Sequence, residues 1–142
     1  MKTAITYGTF DTLHWGHIEI LRRAKEAAEE LAEIGEPVRL VVGISDDDFN
    51  AEKGKQAYHT FEEREKFVQA IRYVDETFPE HSWGQKPDDF KKYNADILVM
   101  GEDWKDRPEF QEVKHLIKAK FLPRTKLISS TEIRNIVSKA GK

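Results

Sequence analysis

Apolar residues along this chain follow two alternating patterns. AITYG at residues 4–8, VRLVVGIS at 38–45 and ADILVMG at 95–101 are apolar through their centres, rich in β-branched residues and bounded by turn formers. Strands covered on both faces read this way. Between them the period lengthens: residues 15–34 carry Leu21, Ala24, Ala28 and Leu31 on one side and charges on the other, and Gly35 and Pro37 supply the stop signal. Residues 61–71 predict a second helix, RYVDETF (72–78) a strand, and the segment before Ala95 a further helix. A helix near 109–117, a strand in KAKFLP (118–123) and a last helix from Ser129 close the chain. Residues 46–60 are polar and predict a long connection, the kind of segment that in a compact domain commonly serves as a binding loop.

Alternation of strand and helix predicts an α/β fold, a parallel sheet with helices on both faces, and a ligand crevice at the carboxyl ends of the strands. The loops that follow the strands hold TFDTLHWGH, SDDDFNAEKGK, GEDWKDR and PRTKLISST, the segments densest in charged and hydroxyl residues. With 142 residues and no repeat or linker, the expectation is a single domain over 1–142.

Composition narrows the chemistry. A formal net charge of -3 gives no global field toward nucleic acid or an anionic membrane, so neither is an expected partner, and an anionic ligand must be met by locally placed cations. The absence of cysteine removes thiolate nucleophiles, disulfides and cysteine-based metal sites. The opening residues lack a cationic, long apolar leader and no run of 18 apolar residues occurs, so the expected location is the cytoplasm.

GTFDTLHWGH then stands out, because it follows a strand and opens a helix. Gly8 and Thr9 permit close backbone approach, and the helix start offers free N–H groups to an anion. His14 and His17, three residues apart, fit three readings: metal ligands, core histidines, or donors to a phosphate. Zinc would need further ligands that no neighbouring pattern supplies.

ITYGTFDTLHWGHIEIL, FNAEKGKQAYHTFEER, IRYVDETFPE, ILVMGEDW, and FLPRT with ISST, in that order, span nearly the whole chain. In these motifs it resembles the cytidylyltransferase family of the HxGH nucleotidyltransferase superfamily, and within it the bacterial members acting on glycerol 3-phosphate. The resemblance implies a Rossmann-like domain that couples CTP to sn-glycerol 3-phosphate, giving CDP-glycerol and pyrophosphate for teichoic acid or capsule synthesis. It implies His14, His17, Lys53 and Arg124 as catalytic residues. CTP would be held by Gly8, Thr9, Phe10, Asp11, Gly16, Gly101, Asp103, Thr125, Ser129, Ser130 and Thr131. Lys53, Lys55, Arg72 and Trp83 would hold the acceptor, with Mg²⁺ on the CTP phosphates and a homodimer as the assembly.

Some of these residues keep a plainer reading beside the implied one: Asp11 as a helix cap rather than a steering group for Mg²⁺, and Trp83 and Trp104 as packing. The chain departs from the family pattern at Lys126 and Leu127, which replace a glutamate and a glycine and alter the phosphate loop's freedom. It also carries extra length before VRLVVGIS, expected to lengthen the first helix. Alternative functions are transfer to another phosphorylated alcohol, such as phosphoethanolamine, phosphocholine or a polyol phosphate, and non-catalytic CTP binding.

Overall fold

The structure is a computed structural model and describes residues 1–124. Five strands, β1 (Lys2–Gly8), β2 (Val38–Ser45), β3 (Glu76–Glu80), β4 (Ile97–Gly101) and β5 (Lys118–Leu122), form one sheet in the order β3-β2-β1-β4-β5, and every pairing is parallel. Around it lie α1 (Trp15–Leu31), α2 (Asp47–Glu52), α3 (Phe61–Gln69), α4 (Lys86–Lys92) and α5 (Pro108–Gln111).

Side chains two apart on a strand share a face, so the continuous apolar strands feed two cores. On one face Ala4, Leu40, Val42, Ile44 and Val99 pack with Leu21, Ala24 and Ala28 of α1 and Val68 of α3. On the other, Ile5, Val41, Leu98 and Met100 pack with Phe90 of α4 and Phe110 of α5. This is the expected α/β sheet with helices on both faces, a Rossmann-like fold. The chain winds outward from β1 through β2 to β3, then returns to β1's other side with β4. The loops after β1 and β4 therefore diverge at a topological switch point, where ligands of such sheets bind.

Four elements differ from the sequence reading. Helix α1 stops at Leu31, not Ile34: Ala32 caps it in extended geometry, Gly35 turns at φ +82°, and Ile34 points wholly into solvent. Strand β3 begins only at Glu76, because residues 71–74 close a turn through the Val74 N–H to the Ile71 carbonyl at 3.0 Å. The polar segment 46–60 contains α2, started by Asp46, whose carboxylate accepts from the Phe49 N–H at 2.7 Å, and anchored by buried Phe49 and Asn50. Helix α5 is a single turn rather than a helix through residue 117. The helix expected from Ser129 lies outside the described residues, as do Thr125, Lys126, Leu127, Ser130 and Thr131.

Candidate active site

A cleft of about 540 Å³ opens at the carboxyl ends of β1 and β4. Gly8 at the end of β1, Thr9, Phe10 and Asp11 of the β1–α1 loop and His17 in the first turn of α1 line it, with Asn50, Lys53 and Lys55 from α2 and the loop after it, Gly101 at the end of β4, and Asp103 and Trp104 from the turn that follows.

The β1–α1 loop is strained: Phe10 and Thr12 hold φ of 54° and 45°, a region non-glycine residues seldom occupy. Histidine takes over the helix cap that serine or aspartate usually provides. His14 Nδ1 accepts from the Gly16 N–H at 2.9 Å, and His17 Nδ1 accepts from the His14 N–H at 3.2 Å. A neutral imidazole that accepts at Nδ1 carries its proton at Nε2, so the loop assigns the tautomer and leaves each ring one Nε2–H donor. The rings lie 4.1 Å apart. Burial pushes the His17 pKa down to about 4, with the neighbouring His14 adding to the effect and Asp11 opposing it; burial lowers His14 as well. Both are thus neutral donors at pH 7. Gly16 is required by space, since a Cβ there would meet His14 Cε1 at 2.7 Å.

Asp11 is buried and accepts backbone N–H groups from Tyr58 at 2.7 Å and His59 at 3.0 Å, so it pins the loop before α3 against the β1–α1 loop. The helix cap that the sequence suggests for Asp11 is supplied by His14 instead. Among the described residues, no group of three or more His, Asp or Glu side chains is placed to hold a metal ion.

On the facing wall, Lys53 at the end of α2 donates to Ser45 Oγ at 2.6 Å, with its ammonium 4.9 Å from the Phe49 ring centre. Burial lowers its pKa to about 8, offset in part by Glu80. Lys55, 5.6 Å from the Trp104 ring, is lowered by burial and then by Arg107. Trp83 lies against Phe49 at 5.0 Å and forms the backing of this wall, in a short turn of helix after β3.

Of the implied residues, His14 and Gly16 sit beside His17 at the helix start and Trp83 beside Lys53 without lining the cleft, and two arginines are placed elsewhere. Arg72 is not brought to the cleft: it precedes β3, toward the amino-terminal end of the sheet, and is exposed over its neighbour Tyr73 at 5.0 Å. Arg124 is exposed beyond β5, at the carboxyl end of the sheet but outside the cleft lining.

The sequence reading missed what joins the walls. Arg64 of α3 is fully buried, and its guanidinium donates to the carbonyls of Thr9 (2.8 Å), Ser45 (2.7 Å) and His59 (3.1 Å) and to Asp47 Oδ1 (2.9 Å). One side chain thereby ties the β1–α1 loop, β2, α2 and the loop before α3. Asn50, buried at the cleft, accepts from Thr9 Oγ1 at 3.0 Å. A mid-helix arginine among glutamates reads as a surface residue, and its sequence context carries no signal of burial.

Residues 5–136 match the family model described as cytidylyltransferase-like. The chain belongs to the cytidylyltransferase-like family. A glycerol-3-phosphate cytidylyltransferase of Bacillus subtilis is 46% identical over 97% of this chain and 98% of its own length. A protein of the same name from Staphylococcus aureus is 45% identical, covering 94% of this chain and 93% of its own. Among solved structures, a lipopolysaccharide core biosynthesis protein from Thermoplasma volcanium superposes with a TM-score of 0.67 at 27% identity, over 89% of this chain and 98% of that one. In this cytidylyltransferase family member, His17, with a free Nε2–H beside a helix start, lines the same cleft as Lys53 and Lys55, and His14 packs against it.

Proposed function

We propose that this chain transfers a cytidylyl group from CTP to sn-glycerol 3-phosphate, giving CDP-glycerol and pyrophosphate. The observation that carries it is the pairing of two anion-directed walls in one cleft, His17 with His14 stacked beside it on one side and Lys53 and Lys55 on the other. Relatives 40–46% identical over nearly their whole lengths are named for this substrate, whereas an ethanolamine-phosphate cytidylyltransferase of mouse is 31% identical and this chain spans 30% of it.

In the reaction an oxygen of the acceptor phosphate attacks the α-phosphorus. The new P–O bond forms as the bond to the bridging oxygen of the β-phosphate breaks, and pyrophosphate leaves. A phosphate monoester has its second pKa near ~6, so the nucleophile is already a dianion at pH 7 and no general base is called for. The protein's task is to bring two polyanions together and to stabilise charge spreading over the phosphoryl oxygens. Imidazole Nε2–H groups donate to the CTP phosphates, and the lysines draw the acceptor phosphate against them. Gly101 and Asp103, in the turn after β4, hold the nucleoside, the carboxylate accepting from ribose hydroxyls.

Mg²⁺ belongs in this reading to the triphosphate, as part of the substrate complex. The enzyme works in the cytoplasm, where CTP is held, as a homodimer, and its product feeds a glycerol-phosphate polymer such as teichoic acid or capsule. Among the described residues no helix is long and apolar enough to cross a membrane. Arg72 reaches an acceptor site only if a second copy contributes it.

The test is pyrophosphate release and product mass with CTP or ATP and a panel of phosphorylated alcohols. CDP-glycerol formed selectively from CTP and glycerol 3-phosphate is the expected result. Selective turnover of phosphoethanolamine, or CTP binding without turnover of any acceptor, would contradict it.

A further inference from the structure

Behind Lys53 a chain of charge runs from the cleft into the core. Lys53 Nζ donates to Ser45 Oγ at 2.6 Å, Ser45 Oγ donates to Glu80 Oε1 at 3.3 Å, and Glu80 Oε2 accepts from Lys86 Nζ at 3.1 Å. Ser45, Glu80 and Lys86 are 0%, 3% and 0% exposed, and none of them lines the cleft. Ser45 and Glu80 end β2 and β3 and pair in register, so the sheet sets their spacing. Lys86 opens α4 with its ammonium 4.6 Å from the Tyr7 ring and 4.8 Å from that of Phe110.

The arrangement has a direction. The Lys86 ammonium sets a cation directly against the buried Glu80 carboxylate. An ionised Glu80 is acceptor-only, so the serine proton must point to it and the serine lone pair must point to Lys53. A buried ion pair is a weak source of stability compared with apolar residues of the same volume, which leaves its retention beneath this lysine in need of another reason.

We infer that Ser45, Glu80 and Lys86 are positioning residues for the acceptor-phosphate site, fixing the Lys53 ammonium at one point on the cleft wall. Their effect on substrate passes through Lys53, and the inference rests on the cytidylyl-transfer reading only for what Lys53 holds. The charged groups facing Lys53 are Glu80 of β3, Lys55 of the next loop, Lys86 of α4 and Arg64 of α3; of these Glu80 alone is negative. Burial lowers Lys53 and Glu80 restores part of its basicity, as a chain that keeps it protonated requires.

Two measurements test this, one of them independent of turnover. The first follows acylation of Lys53 against pH in the substrate-free protein, read lysine by lysine by mass spectrometry, in the parent, in Ser45→Ala and in Glu80→Gln/Lys86→Met. The double variant removes both buried charges together, so neither is stranded. The second is the KM for acceptor and for CTP in the same proteins. The expected result is a Lys53 midpoint near 8 in the parent that moves in both variants. With it the acceptor KM should rise by about tenfold to 100-fold, the range a misplaced binding group produces, while the CTP KM stays put. An unchanged Lys53 midpoint in both folded variants, or equal loss for both substrates, overturns the inference. A parent protein that turns over no acceptor defeats the functional reading instead, and leaves the acylation profile to judge the positioning.

Discussion

The histidine wall of the cleft is held by contacts within a few residues: His14 and His17 cap their own helix through N–H groups two and three positions away. The lysine wall is held from far along the chain. Lys53 rests on Ser45, which leans on Glu80 35 residues further on, and Arg64 reaches 55 residues back to the Thr9 carbonyl. The walls also differ in charge. One presents neutral donors that burial keeps neutral, the other ammonium groups that burial makes less basic. A local hydrogen-bonded turn can fix a tautomer and cheaply supply donors. Keeping a cation half out of water needs a compensating network, and only tertiary structure can assemble one.

The largest way to break the histidine wall is His17→Ala, expected to lower turnover on the order of 100- to 1000-fold, as loss of one preorganised donor does. CTP affinity measured by calorimetry should fall far less, because the donor matters most as charge develops on the phosphoryl oxygens. Equal losses in binding and rate would move His17 from transition-state stabilisation to ground-state binding.

For the lysine wall, Arg64→Ala strands three carbonyls and Asp47, and should cost about 3 kcal/mol or more in denaturant unfolding. Arg64→Lys should recover little of it, since an ammonium cannot reproduce the planar fork. A fully stable Arg64→Lys protein would show that the walls are not joined there.

Acid separates the walls next. His17 in the folded protein titrates near 4, below the ordinary value of 6.5, so above pH 6.5 neither state holds its proton. Between 6.5 and 4 the unfolded chain binds a proton that the folded one refuses, and stability falls with pH, by an amount on the order of 2 kcal/mol after solvent screening. Replacing His17 with Gln should flatten that part of the stability curve.

The smallest effect runs the other way. Lys53 is lowered toward 8, so its buried charge is a cost present in full below that pH and relieved as pH rises toward its ordinary 10.5. Lys53→Met should therefore stabilise the protein at pH 7 by about 1 kcal/mol while raising the acceptor KM, a trade of stability against function. A destabilised Lys53→Met protein would mean that its bond to Ser45 outweighs desolvation.

The same contrast explains what was legible in the sequence. VRLVVGIS is a strand from Val38 to Ser45 as read, because burial on both faces leaves a continuous apolar run. GTFDTLHWGH announces itself for the same reason its geometry is local: cap, glycine and histidines sit within one turn. The expected strand at RYVDETF slid to Glu76–Glu80 because Tyr73 and Val74 pack against the α1 core from a turn, apolar without being in the sheet. Helix α2 was hidden, since Phe49 and Ala51 alone break the polarity of residues 46–52 and show no helical period. Arg64, Glu80 and Lys86 were illegible as core residues: a charged side chain looks like surface until the fold supplies its partners. Arg72 teaches the converse, a motif residue whose match says nothing about which end of the sheet it occupies.

The most direct test of cytidylyl transfer through this cleft is steady-state pyrophosphate release from CTP with sn-glycerol 3-phosphate, run beside phosphoethanolamine and phosphocholine, for the parent, His17→Ala and Lys53→Ala. The expected result is kcat/KM highest for glycerol 3-phosphate, loss of kcat in His17→Ala, and a raised acceptor KM in Lys53→Ala. Preference for another acceptor, or full activity in either variant, would contradict it.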